Sequence, residues 1–190
     1  MFKDEITPVS CAYWFNGAVN MVAFDGTNLN TSNVTSFKNA FLSCSSIENL
    51  DNISGWDMSN VTDAYAMFSK CNNLKSIDGS NWNLINVQNT SSMFLECKNI
   101  QTIKSGSWNL SKVTDANSMF RYCNALTSVD TENFDLSSCK NCYRMFSFCN
   151  SFVGMDTSKW NMSKVENTAN MFYDCRSLKN IDTKKLGFQQ

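Results

Sequence analysis

The sequence predicts an α/β solenoid of about seven 26-residue coils, with a short parallel sheet on one face and short helices on the other. Three observations predict it. Phe recurs at Phe15, Phe41, Phe68, Phe94, Phe120, Phe146 and Phe172, at spacings of 26 residues with one of 27. Three residues after each comes Cys44, Cys71, Cys97, Cys123, Cys149 or Cys175, with Ala18 in the earliest slot. Other columns hold the same register: Leu50, Ile77, Ile103, Val129 and Ile181 form an apolar one, and Trp56, Trp82, Trp108, Phe134 and Trp160 an aromatic one. Co-registered repetition of this kind marks a chain whose units bury their apolar faces against each other.

Each element follows from one copy. In the copy from Ser107 to Asp130, Val113, Ala116, Phe120 and Cys123 fall at i, i+3, i+7 and i+10, the stripe of an amphipathic helix of two to three turns. Asp115 sits where an N-cap belongs, a place that Asp63, Asn89, Asn141 and Asn167 occupy in other copies. The segment Leu126 to Asp130 is short and apolar at Leu126 and Val129, which predicts a brief strand. Strands one coil apart must run parallel, about 4.8 Å from each other. A single inserted residue falls near Asn52 to Gly55. The expected organisation is one domain over 1–190, with an irregular capping copy at 1–25, six regular repeats at 26–182 and a polar tail at 183–190.

The unit reads W-[ND]-x-[ST]-x-V-x-x-x-x-x-M-F-x-x-C-x-x-L-x-x-I-D, as in Val61-Thr62-Asp63 through Met67-Phe68 to Cys71 and Leu74, and Val113-Thr114-Asp115 through Met119-Phe120 to Cys123 and Leu126. Over about Val9 to Asp182 it resembles the 26-residue repeats of the BspA-like leucine-rich-repeat surface proteins of bacteria. That resemblance implies a leucine-rich-repeat-like solenoid used for adhesion or protein recognition, placed at the cell surface or secreted as part of a longer protein. The chain departs from the family where an apolar residue normally stands two after the Ile column. Gly79, Ser105, Thr131, Thr157 and Thr183 are small or polar there, which predicts a shorter or looser strand. No signal peptide is visible in the first twenty residues.

Composition excludes much chemistry. The chain has 190 residues, 16 Lys and Arg against 17 Asp and Glu, and no His. A net charge of −1 offers no general attraction for nucleic acid or an anionic membrane. Without His there are no His-based triads, metal ligands or pH switches. No apolar run reaches the roughly 18 residues a membrane span requires. The nine Cys all fall at interior positions of the repeat, so they read as buried free thiols acting as small hydrophobes. Helix packing at about 8–10 Å would hold neighbouring columns beyond disulfide reach. Cys139 and Cys142 form a C-x-x-C, but no second pair stands at ligand spacing. The Trp column reads as core; a carbohydrate platform would need those rings exposed.

What remains for function is an acidic column. Asp25, Asp51, Asp78, Asp130, Asp156 and Asp182 directly follow the Ile column, interrupted by Lys104. Alternation along a strand turns them outward when Ile faces in. Two readings stand side by side. Each Asp accepts backbone N–H groups in an Asx-turn at the strand's end; or the column, flanked by Ser76, Thr102, Ser128 and Asn180, is a sheet-face strip for a cationic or hydroxyl-rich partner. Calcium is poorly supported, because no dense acidic loop appears. The sequence therefore predicts a non-enzymatic binding or adhesion module with no cofactor, no metal and no catalytic residues, recognising a protein or cell-surface ligand. A spacer or stalk in a larger surface protein is the alternative, and an enzyme using carboxylates or thiols a remote one. The thiol assignment makes a direct prediction. Few thiols should react with a thiol reagent in the native protein and all nine after denaturation without reductant; a clear deficit in the denatured, unreduced protein would contradict it.

Overall fold

The computed structural model describes residues 2–106, 108–130, 134–158 and 160–181. Its backbone is a stack of coils in which almost every hydrogen bond is either a local turn or a link to the same place one coil away. Among the described residues five short strands form: β1 (Ala23–Asp25), β2 (Asn49–Asp51), β3 (Ser76–Asp78), β4 (Thr102–Lys104) and β5 (Ser128–Val129). All pairing is parallel. β1 pairs with β2, and β3, β4 and β5 pair in that order, with Phe24 opposite Leu50 and Ile77, Ile103 and Val129 aligned. The two sheets part where the inserted residue falls. Asn52 takes a left-handed φ of 58°, and its side-chain amide reaches back to Asp25 Oδ1 and Thr27 Oγ1, both at 2.9 Å.

The expected helices are absent, and the α/β class is corrected on this point. Among the described residues there is no helix. The stretch from Val113 to Cys123 is instead a run of four-residue turns. Met119 N–H bonds to Ala116 O at 3.3 Å and Cys123 N–H to Phe120 O at 3.1 Å. The third residues of these turns, Ser118 and Tyr122, have φ of 55° and 63°, as a type II turn requires. Alternate amides leave the coil altogether. Ala116, Ser118, Phe120 and Tyr122 donate to the carbonyls of Asn141, Tyr143, Met145 and Ser147 at 2.8–2.9 Å. The same paired left-handed positions recur as Asn39 and Ser43, Ala66 and Lys70, Ser92 and Glu96, Arg144 and Phe148, Asn170 and Asp174.

The physical reason is spacing. Parallel bridges run through Ser36, Asp63, Asn89, Asp115, Asn141 and Asn167, across the coil from the strands, so this side too advances by one strand spacing of about 4.8 Å per coil. Successive Phe rings lie 5.0–5.7 Å apart along the stack. Packed helices need about 8–10 Å, so a coil held to strand spacing on both sides has no room for one. The expected N-caps consequently cap turns. Asp63, Asn89, Asp115, Asn141 and Asn167 each accept the N–H two residues on, at 2.9–3.1 Å.

The core runs the length of the stack. Trp56, Trp82, Trp108, Phe134 and Trp160 are buried and stack with centroids 6.0–6.5 Å apart, which excludes an exposed aromatic platform. Trp82 Nε1 donates to Ile53 O at 2.7 Å and Trp108 Nε1 to Gly79 O at 2.9 Å. These rings also explain the glycine after β3. A Cβ at Gly79 would lie 2.9 Å from the Trp82 ring and 3.1 Å from that of Trp108, so the site is reserved for the indoles. Thr131 and Thr183 of the small or polar column, and the tail 183–190, lie outside the described residues.

Two outcomes check this fold. Far-UV circular dichroism should lack the double minimum of α-helix. Phe94→Ala, which removes a fully buried rung, should lower stability by about 3–5 kcal/mol in denaturant unfolding; a loss under about 1 kcal/mol would mean the column is not continuous core.

Candidate functional site on the sheet face

The residues that form the expected strip are positioned by the strands. Ser76, Thr102 and Ser128 open β3, β4 and β5 in exact cross-strand register and are exposed. Asp25 and Asp51 are cross-strand partners at the ends of β1 and β2. Asp78 faces Lys104 across β3 and β4. Asp130, Asp156 and Asn180 are exposed, and Asn180 pairs with Gly154 through an isolated parallel bridge. Asp182 lies outside the described residues. The strip is thus divided by the break between the two sheets: Asp25 and Asp51 belong to one segment, Ser76, Asp78, Thr102 and Ser128 to the other.

The carboxylates are engaged with their own backbone. Asp25 Oδ1 accepts Thr27 N–H at 2.9 Å and the Thr27 hydroxyl at 2.6 Å, besides the Asn52 amide. Asp78 Oδ1 accepts Ser80 N–H at 3.2 Å and its hydroxyl at 2.7 Å. Asp156 Oδ1 accepts Ser158 N–H at 2.7 Å. These are Asx-turns, with a hydroxyl added at Asp25 and Asp78. The Thr27 hydroxyl, then Asn52, hold the Asp25 carboxyl below the usual carboxylate range. The Ser80 hydroxyl, then Lys104, do the same for Asp78.

Sequence reasoning missed two partners here. Lys104 is no mere interruption of the acidic column: its Nζ lies 3.1 Å from Asp78 Oδ2 and relieves the charge there. Glu48 and Lys75, in an adjacent exposed column, pair in the same way at 2.8 Å. The signal was legible as opposite charges in one column on successive coils. Both pairs are well exposed, and such pairs contribute little individually. Among the described residues no group of His, Cys, Asp or Glu is disposed to hold a metal ion. The chemistry left to the strip is hydrogen bonding and charge.

The thiols have a role beyond filling space. Cys44, Cys71, Cys97, Cys123, Cys149 and Cys175 each direct Sγ at the carbonyl of Phe15, Phe41, Phe68, Phe94, Phe120 and Phe146, one coil back, at 3.0–3.2 Å. Phe120 O therefore takes both Cys123 N–H and Cys149 Sγ–H. All nine cysteines are free. The spacing argument against disulfides is corrected: coils at strand spacing put successive Cα atoms within disulfide range, and it is the common direction of the thiols, each bonded to a carbonyl, that keeps them apart. Burial pushes the thiols of Cys97, Cys123 and Cys149 well up, Cys175 to about 11 and Cys11 to about 12. The Sγ atoms of Cys139 and Cys142 lie 3.5 Å apart; the hydrogen bond between them pushes the Cys142 thiol up and draws the Cys139 thiol down, and both are buried, so neither is exposed to solvent.

The family described as "Mycoplasma protein of unknown function, DUF285" matches residues 9–128 and again 97–189. The chain belongs to that family. The two matches overlap and together span nearly all the coils, as a repeating unit demands. Among solved structures, the T. pallidum leucine-rich-repeat protein TpLRR shares 19 % identity and superposes with a TM-score of 0.48, covering 98 % of this chain and 78 % of its own. That is too loose a likeness to assign any detail. No curated protein matches the chain. The DUF285 assignment brings no function with it, and the site has to be argued from its residues.

The carboxylates predict a pH dependence. Asp25, Glu48, Asp57 and Asp78 have folded-state pKa values depressed by hydroxyl, amide or lysine partners. Their contribution to stability is complete above the unfolded values of about 4 and is lost as pH falls through the lower folded values. The melting temperature should be flat from neutral pH down to about 5 and drop below about 4. Asp78→Asn, which keeps the acceptor, should flatten part of that drop; an unchanged profile would remove Asp78 from it.

Proposed function

We propose that this DUF285 chain is a non-enzymatic binding or adhesion module that recognises a protein or cell-surface ligand through the sheet-face strip, as part of a protein displayed at or beyond the cell surface. The observation that carries the reading is a division of residue types. The thiols and the repeated Phe and Trp columns are taken up by the interior, whereas the strand face presents hydroxyls, amides and carboxylates in register, one coil apart. A row of acceptors at strand spacing suits a partner rich in Lys, Arg or hydroxyl groups, and stacked coils offer such a row over a long surface. The likeness of the repeat to BspA-like surface proteins supports the same placement by analogy.

A spacer role is the second reading. It is favoured by the Asx bonds at Asp25, Asp78 and Asp156, which give those carboxylates a structural use without any partner. Replacing Asp78, Asp130 and Asp156 together with Asn separates the two, since Asn preserves the acceptor oxygen and removes the charge. Binding of the wild-type chain to intact animal cells and to purified extracellular-matrix proteins should be saturable, and the triple variant should bind at least about tenfold more weakly with an unchanged melting temperature. Saturable binding that the triple variant retains would discard the strip, and no saturable binding to any of these surfaces would favour the spacer.

A further inference from the structure

The inserted residue coincides with a gap in the way neighbouring loops are tied together. Farther along the stack, indoles bind the loop after a strand to the next coil: Trp82 Nε1 donates to Ile53 O and Trp108 Nε1 to Gly79 O. Trp56 is the indole that would bind the loop after β1, and Gly26 stands there where Gly79 stands after β3. Trp56 Nε1 lies against Gly26, 2.8 Å from where a Cβ would be, yet has no hydrogen-bond partner among the described residues. Leu29 takes the place of an indole in the same column, and the extra residue lies in the facing loop at Asn52 to Gly55. Between the two loops run adjoining hollows of about 260 and 370 Å³, which share Thr27, Leu29 and Gly55. A Cβ on Gly55 would meet nothing within 4 Å, so the cleft opens beside it.

Polar atoms in the cleft walls are left over. Trp56 lines the larger hollow and Thr31 the smaller, each only 3 % exposed, and neither Trp56 Nε1 nor Thr31 Oγ1 has a partner among the described residues. Buried polar groups are nearly always paired, so two orphans in one cleft call for something to pair them. Trp160 Nε1 is unpaired as well, but the place of its acceptor, Thr131, lies outside the described residues. Around the mouth, Glu5 and Asp57 are exposed carboxylates. Glu5 Oε1 accepts the Asn30 amide and Asp57 Oδ1 accepts Ser59 N–H, both at 2.8 Å. A carboxylate has about four lone-pair sites, so each keeps capacity for a ligand. No lysine or arginine is among the described residues that line the cleft.

We propose that this cleft binds a neutral monosaccharide. An anion would meet two carboxylates and no cation. A metal ion or an ammonium group satisfies the carboxylates but offers nothing to accept the Trp56 N–H. A hydroxyl group is donor and acceptor at once, and a ring of them answers the whole set. Sugar hydroxyls donate to Asp57 and Glu5, one accepts the indole N–H, and one pairs with Thr31 Oγ1. The larger hollow falls within the roughly 300–1,000 Å³ of small-molecule sites. The walls cover both orphan atoms, so the sugar reaches them by moving the Ser54–Gly55 loop, which has open space at Gly55. Recognition is through the edge of the indole, and its ring stays stacked between Phe37 and Trp82. The site does not rest on the acidic strip: Asp78, Asp130 and Asp156 belong to later coils and none of them lines the cleft.

The test is an NMR titration of the full chain with glucose, galactose, mannose and N-acetylglucosamine, each to about 50 mM. At least one sugar should saturate, moving the Trp56 indole N–H and the Gly55 amide with a single Kd. Gly55→Phe, at an exposed position with room for a side chain, fills the mouth and should weaken binding at least about tenfold with an unchanged melting temperature. Asp57→Asn keeps the acceptor for Ser59 N–H and removes the charge, and it should also weaken binding. The triple Asn variant of Asp78, Asp130 and Asp156 should bind the sugar as wild type does, whatever becomes of its binding to cells. Three results would each overturn the proposal: no sugar that saturates, saturation that leaves Trp56 and Gly55 unmoved, or Gly55→Phe and Asp57→Asn binding like wild type. Calcium chloride or putrescine moving the same two resonances at lower concentration than every sugar would make this a cation site and overturn it equally.

Discussion

Everything in this fold rests on where alternate amides send their hydrogen bonds. In each turn segment one N–H closes a four-residue turn and the next reaches the equivalent carbonyl of the neighbouring coil. Buried backbone groups must be paired, and this alternation pairs them without helix or long strand. It also fixes the rise of the chain at one strand spacing per coil on every side. Once that is set, any residue type repeated in the sequence becomes a continuous stack in space, and side chains compete only with copies of themselves.

The columns then follow from what can be stacked at about 5 Å. Flat rings can, which is why Phe and Trp occupy the interior. A thiol can, because it is small enough to sit beneath the preceding ring and long enough to reach the Phe carbonyl one coil back. Carboxylates stacked at that distance repel, and two of them are relieved: Asp25 by the Asn52 amide, Asp78 by Lys104, and both by their own Asx-turns. The left-handed residues are the cost of the turns, about 1–2 kcal/mol each for a side chain other than glycine. That they are Asn, Ser, Ala, Lys, Glu, Tyr, Arg, Phe and Asp across the coils shows that the inter-coil bonds, not local preference, hold the backbone there.

The repeat, its register, the identity of the interior columns and the position of the short parallel strands were legible in the sequence, because periodicity reports directly which residues share an environment. The helix was not. Val113, Ala116, Phe120 and Cys123 fall at helical spacing, yet tandem four-residue turns bring residues inward at nearly the same intervals, and periodicity alone does not separate the two. What separates them is the bridge column at Ser36, Asp63, Asn89, Asp115, Asn141 and Asn167, whose Asx-forming residues were visible but read as helix caps. At the candidate site the Asp column and its Asx-turns were legible, whereas the Lys104 pairing and the division of the strip at Asn52 depend on register across coils and on one insertion.

The most direct test of the account is through-hydrogen-bond scalar coupling by NMR at Ala116, Ser118, Phe120 and Tyr122. The account predicts couplings from these amides to the carbonyl carbons of Asn141, Tyr143, Met145 and Ser147 in the next coil. Couplings to carbonyls four residues earlier in the same segment would restore the helix and contradict the fold described.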